Sequence, residues 1–323
     1  MKPASRRKPI DFLVMNLISN IQRIPAHFGR IGVIAHHAFT QLVRMKVFYF
    51  LAFFAVILIA SNFFNLPQHE GPDATGTHVL TLIKSWSLGA MTLFSVVLSI
   101  VATALLLPKD VEDRTLYTIL AKPVPRIDYL AGKLLGVLLL VFVSLLIMDL
   151  LMTGILQLRT NMVLEEQVAA AVERGWPAGD VAALRTEILN QGPTFSLQGA
   201  VLAVFLRATV IASMAMLIST FSSSTLFTTI ISFLIYFIGH FQADAREIYL
   251  SQGVGTSDGW LAHVMSLLVA LVLPDFQLFN VIDEVIQGHV MPLWILFKLS
   301  LVGLFYFVFY LFASWFIFAE KEF

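Results

Sequence analysis

The chain has 323 residues, 58% of them hydrophobic and 13% charged, with a mean hydropathy of +0.83. Soluble domains carry about 25% charged residues, so a chain this apolar reads as an all-α, multi-span integral membrane protein. Its 21 Lys/Arg balance 21 Asp/Glu, which removes any net pull toward nucleic acid, and the lack of cysteine removes disulfides, iron–sulfur clusters and thiolate zinc sites.

Residues 1–46 read as a cytoplasmic and interfacial segment. Arg6, Arg7 and Lys8 precede a stretch interrupted by Asp11, Asn16 and Asn20, with no small-residue cleavage site, so a signal peptide is not expected. Two amphipathic helices are expected instead. Ile10, Leu13, Leu17, Ile21 and Ile24 fall on one face of the first, which Pro25 and Gly29 should end. Ile31, Ile34, Ala38, Leu42 and Met45 form the stripe of the second, with His36, His37, Gln41 and Arg44 elsewhere. A basic amphipathic helix beside a span typically lies in the interface plane.

Residues 47–323 read as a membrane domain with six spans, at 47–64, 86–107, 134–156, 200–221, 225–241 and 293–318. Each approaches the roughly 20 apolar residues that cross the hydrocarbon core. Residues 261–274 are too short for a straight span and suit a re-entrant or interfacial helix. With both termini inside, fourteen of the 21 Lys/Arg fall on inner segments, which supports a cytoplasmic N-terminus and C-terminus. Residues 158–196 then lie outside. They read as a helical hairpin with Asp180 as an N-cap, Gly175 and Gly192 as C-caps, and the turn at Trp176–Pro177. The hairpin is too small for its own core and must pack on something else.

Catalytic signatures are missing from this sequence. There is no G-x-x-x-x-G-K-[ST], no H-E-x-x-H and no G-x-S-x-G. No metal site is expected: adjacent His36 and His37 diverge by about 100° on a helix. Three ionisable residues fall within spans, Asp149, Arg207 and Lys298. Arg207 and Lys298 can snorkel outward. Asp149 can pair with Arg207, a structural ion pair being favoured over a proton relay or a substrate contact.

The charged insert 108–133 is the most informative stretch. Pro108 should end the second span, and Asp110 can cap a new helix with Glu112 and Asp113 in its first turn, where the helix dipole favours negative charge. Arg114 follows; Leu116, Ile119 and Leu120 share one face; Pro123 and Pro125 stop the helix; Arg126 and Lys133 sit at the membrane boundary. A short capped helix with a small apolar face suits insertion into a groove on another protein.

The run EDRTLYTILAKPVPRIDYLAGK resembles the loop between the second and third spans of ABC-2 type transporter permeases. That pattern has an acidic pair (Glu112–Asp113), Thr115–Leu116, Ile119–Leu120, Pro123, Arg126 and Gly132–Lys133; Arg114 departs from it where many members have glycine. The span count, the amphipathic helices before the first span, the short run before the last and the ending FIFAEKEF extend the likeness. The resemblance implies a non-enzymatic permease subunit in a plasma membrane, the bacterial inner membrane, paired with a second permease subunit. It also implies an exporter driven by a separate ATP-binding-cassette ATPase that binds the ATP, with the insert as coupling helix. The subunit itself would need no cofactor. A non-transporting scaffold docking a cytoplasmic partner is the alternative.

Overall fold

The computed structural model describes residues 9–44, 53, 77–112, 124–251 and 273–320, and everything described is helix or short connection. We number the helices α1 (Pro9–Arg44), α2 (Thr77–Glu112), α3 (Arg126–Glu173), α4 (Ala178–Gln191), α5 (Phe195–Phe221), α6 (Thr225–Ser251), α7 (Ile282–Ile286) and α8 (Leu293–Glu320), with a 3-10 turn at Phe276–Phe279 before α7. Among the described residues, α2, α3, α5 and α8 are long and apolar enough to cross a membrane, and Thr225–Phe241 in α6 is a shorter apolar helix. The span expected at 47–64 lies outside the described residues but for Phe53, and so does most of 261–274.

The four long apolar helices sit where hydropathy placed them. The connection between the fourth and fifth expected spans is three residues long, as read: α5 stops at Phe221 and α6 starts at Thr225. The backbone N–H of Ser224 donates to the Ser222 hydroxyl at 3.0 Å and tightens that turn. Helix α5 is buried around most of its circumference, as an apolar-all-round helix must be. It packs against α2, α3, α6 and α8 and forms the centre of the bundle.

Three expectations about helix ends are corrected. First, the N-terminal segment is one helix, α1, with Pro25 and Gly29 inside it. Interior glycine costs about 1 kcal/mol relative to alanine, which the packing of residues 27–42 on α3 offsets; the described contacts do not account for Pro25. Ile31, Ile34, Ala38 and Leu42 form the inward stripe as read, while His36 and His37 are exposed. Second, Pro108 does not end α2, which runs on to Glu112. One missing N–H near the end of a helix is tolerated where neighbouring helices hold the last turns, and Asp110 is so held. Third, Asp180 is not the N-cap of α4. Pro177 takes that position, and the Asp180 amide bonds its carbonyl at 3.0 Å. Asp180 lies in the first turn, where its charge still complements the dipole.

The hairpin exists, but its first arm is a continuation of the third span. Helix α3 has 48 residues, about 72 Å at 1.5 Å per residue, against roughly 30 Å of hydrocarbon. It closes with Gly175 at φ +73°, Gly175 N–H on Val172 O at 3.0 Å and Trp176 N–H on Ala171 O at 3.0 Å. Those two bonds form a Schellman motif, which needs the left-handed glycine. Leu184 and Ile188 of α4 are buried, so the hairpin packs on the bundle. Gly192 is the C-cap of α4, as expected, in an extended conformation.

Helix α1 lies along the first turns of α3 because two glycines let it. A Cβ on Gly132 would lie 2.7 Å from Ile34 Cβ, and one on Gly136 would lie 2.6 Å from Ala38 Cβ and 2.8 Å from the Ala35 carbonyl. The spacing is G-x-x-x-G, which brings helix backbones close where apolar burial alone gives no drive to associate.

Candidate functional site: the frame of the charged loop

The flanks of the charged insert are described and its middle is not. Asp113, Arg114, Leu116, Ile119, Leu120 and Pro123 lie outside the described residues, so the coupling-helix expectation lies there too. Glu112 is the last residue of α2, not the first turn of a new helix.

Asp110 is not a cap. It is buried near the end of α2, and its Oδ2 accepts the Tyr129 hydroxyl at 2.6 Å and Lys133 Nζ at 2.7 Å. Tyr129 and Lys133 are one helical turn apart on α3, so both face α2. Lys133 is 3% exposed and is therefore no headgroup anchor. Its Nζ lies 5.8 Å from the centre of the Tyr129 ring. Two opposite charges in a dry site persist only if their remaining hydrogen-bonding capacity is also met, and the tyrosine hydroxyl supplies part of it.

Tyr129 carries the frame onward to α8. Its ring stacks on Phe318 with centroids 6.1 Å apart and planes inclined by 19°. Arg126, the first residue of α3, donates through Nη1 to the carbonyls of Phe318 and Ala319, each at 2.7 Å. Those carbonyls belong to the last turn of α8, where the helix leaves acceptors unpaired and the dipole is negative. One arginine thus caps a different helix from the one it begins.

Asp128 ties in α1. Its carboxylate is 2% exposed, in the first turn of α3, 2.8 Å from His27 Nδ1 and 3.1 Å from Arg30 Nε. His27 and Arg30 are three residues apart on α1 and so project together. Residues 126–133 therefore bind α1, α2 and α8 at once. Of the residues expected at this site, the structure brings together Asp110 and the exit side of the loop. It adds Tyr129, Asp128, His27, Arg30 and Phe318, which sequence reading passed over. The only local signals for them were the i, i+3 and i, i+4 spacings of His27/Arg30 and Tyr129/Lys133.

The intramembrane pair is not formed. Asp149 accepts from Gln198 Nε2 at 3.2 Å and Thr153 Oγ1 at 3.4 Å. Gln198 precedes Arg207 by nine residues on α5, about 13 Å along the axis, so Asp149 lies beside the wrong turn. Arg207 does not snorkel out either: it is 3% exposed, and among the described residues its Nε and Nη2 find no hydrogen-bond partner. Lys298 does reach back toward the start of α8, with Nζ 5.4 Å from the Trp294 ring centre.

At the other end of the bundle, Lys84 of α2 donates to Gln191 Oε1 of α4 and, at 3.4 Å, to the Val285 carbonyl of α7. Gln191 Nε2 donates to the Gln287 carbonyl at 3.1 Å. Lys84 thus fastens the hairpin to the segment before α8.

No curated relative matches the sequence. The family model described as ABC-2 family transporter protein matches residues 32–245, more than half of the chain, from the packed part of α1 through the charged insert and its frame into α6. The chain belongs to the ABC-2 family of transporter proteins.

Proposed function

We propose that this transporter component is a permease subunit driven through the 108–133 insert by a separate ATP-binding-cassette ATPase. The supporting observation is the frame. Asp110 before the loop is joined to Tyr129 and Lys133 after it by buried polar contacts, Asp128 is joined to α1 by part-buried ones, and Arg126 and Tyr129 reach α8 through hydrogen bonds and a ring stack. A force on the loop reaches α2 and α3 directly, α1 through Asp128, and α8 through Arg126 and Tyr129. A flexible tether would dissipate such a force. In this reading the loop and both termini face the cytoplasm of a bacterial inner membrane, ATP stays on the partner, and two permease subunits pair to enclose the route. Export is the direction proposed. ATP acts by favouring one of two states of the pair, so the coupling equals the difference in its affinity for the two.

The test is co-purification of the tagged chain with the cassette ATPases of its own cell. Wild type should retain the ATPase, and Leu116→Asp should release it while the permease still inserts and folds. An ATPase that binds but whose hydrolysis ignores changes in the loop would favour the scaffold reading. No association with any cassette ATPase would refute the proposal.

A further inference from the structure

Every fully buried side-chain nitrogen or oxygen without a hydrogen-bond partner, among the described residues, lies on one of three helices. They are Ser87 and Ser99 on α2, Arg207 on α5, and Thr228, Ser232 and His240 on α6. These helices pack on one another. Thr228, Ser232, Tyr236 and His240 recur every four residues, one face of α6. Ser95, Ser99 and Thr103 do the same on α2, each wholly buried. The hydroxyls of Ser95 and Thr103 bond their own helix, at Thr92 O (2.9 Å) and Ser99 O (2.7 Å), whereas those of Ser87, Ser99, Thr228 and Ser232 are left without a partner, and buried polar groups without partners are rare.

Arg207 on α5 is the charge beside this seam of hydroxyls, with Tyr236 as the electrostatic neighbour of its guanidinium. It sits twelve residues into α5 and fourteen from its end, about 18 Å and about 21 Å. Both ends are therefore far off. Guanidinium does not deprotonate in proteins, and an unpaired buried charge is costly. The carboxylate that hydropathy suggested as its partner, Asp149, is engaged with Gln198 and Thr153 instead. A second copy of the chain does not reach a side chain that is 3% exposed within one copy. Among the described residues none supplies the counter-charge, and a carried molecule passing between the helices would.

We propose that Arg207 is the recognition site for an oxyanion group, phosphate or carboxylate, on the molecule this chain carries, and that the hydroxyls of α2 and α6 line its route. Oxyanion is the class because the planar guanidinium fork matches it with two parallel N–H donors. The proposal rests on the transporter reading, and it deepens that reading by naming the cargo's charge. The source is either an anionic lipid headgroup or a water-soluble organic anion.

The test uses the full chain without any ATPase, so its outcome is independent of whether the loop docks one. In one arm, wild type, Arg207→Gln and Arg207→Lys are placed in phosphatidylcholine nanodiscs doped with phosphatidic acid, and retained lipid is counted by native mass spectrometry. In the other, inorganic phosphate and acetate are titrated against the detergent-solubilised proteins. Wild type should bind at least one probe at least about tenfold more tightly than Arg207→Gln, with Arg207→Lys between. Phosphatidic acid alone responding assigns a lipid; soluble anions alone responding assign a soluble cargo. Without anion, Arg207→Gln should unfold at a higher temperature than wild type, since it removes an unpaired charge. Equal affinity of wild type and Arg207→Gln for every probe, or a lower unfolding temperature for Arg207→Gln, overturns the proposal.

Discussion

Lys133 of α3 meets Asp110 of α2 at 2.7 Å, with both side chains buried and the Tyr129 hydroxyl on the same carboxylate oxygen. The pair joins the helix that precedes the charged loop to the helix that follows it. Removing Asp110 leaves Lys133 as an uncompensated buried charge. Asp110→Leu should therefore cost about 3–5 kcal/mol. The double variant Lys133→Met with Asp110→Leu should recover much of that loss, because no charge is then left alone. Thermal or denaturant unfolding of the four proteins in detergent gives the cycle. A double variant as unstable as the sum of the singles would show that the two residues do not interact.

Gly136 and Gly132 set how closely α1 approaches α3. A Cβ at Gly136 would fall 2.6 Å from Ala38 Cβ and 2.8 Å from the Ala35 carbonyl, and the backbone oxygen cannot turn aside. Gly136→Val should cost about 1–3 kcal/mol through overpacking and push α1 away. Gly89 on α2 is the control, since a Cβ there meets nothing within 4 Å. Gly89→Ala should be neutral or stabilising by up to about 1 kcal/mol. A disulfide introduced between α1 and α3 in this cysteine-free chain should form in wild type and in Gly89→Ala, and fail in Gly136→Val.

The four long spans α2, α3, α5 and α8 were legible because hydropathy is a local property: a helix must be apolar for some 20 residues to cross a bilayer, whatever it packs against. The helical hairpin was legible for a related reason, since Gly175 and Pro177 mark a turn by their own backbone chemistry. What failed were breaks inside helices. Pro108 reads as a stop only if nothing beyond it is held, and Asp110 reads as a cap only if its partners are unknown. The frame was illegible for the same reason. Arg126 was singled out, but its acceptors lie 192 and 193 residues away on α8, and no spacing rule links them. The Asp149–Arg207 pairing failed by one detail of register that hydropathy does not encode.

Arg126 bridges the loop to the end of α8. Its Nη1 serves the carbonyls of Phe318 and Ala319, and its Cζ lies 6.0 Å from the Phe318 ring centre. Arg126→Ala should cost about 1.5 kcal/mol for the lost charge-assisted bonds, with the loss concentrated in the last turn of α8. Hydrogen exchange should show faster exchange there, with little change at the start of α8 around Leu296. Lysine offers a point charge without the fork, so Arg126→Lys should restore only part of the protection. Uniformly faster exchange along α8 would mean that Arg126 supports the fold in general and does not cap the helix.

Asp149 and Arg207 offer a direct test of register. If they formed an ion pair, Asp149→Asn and Arg207→Gln would be coupled, and the double variant would be more stable than the two single effects predict. The structure puts Asp149 beside Gln198, nine residues from Arg207 on α5. Groups that far apart with no shared partner add to within about 0.3–0.5 kcal/mol. Asp149→Asn on its own should be nearly silent, because asparagine keeps an oxygen for Gln198 Nε2 and Thr153 Oγ1. Gln198→Leu should cost more than Asp149→Asn, since it leaves a carboxylate facing an apolar side chain. A measured coupling well beyond that limit would place the two charges in contact, and with it would fall the assignment of Arg207 as an unpaired cation.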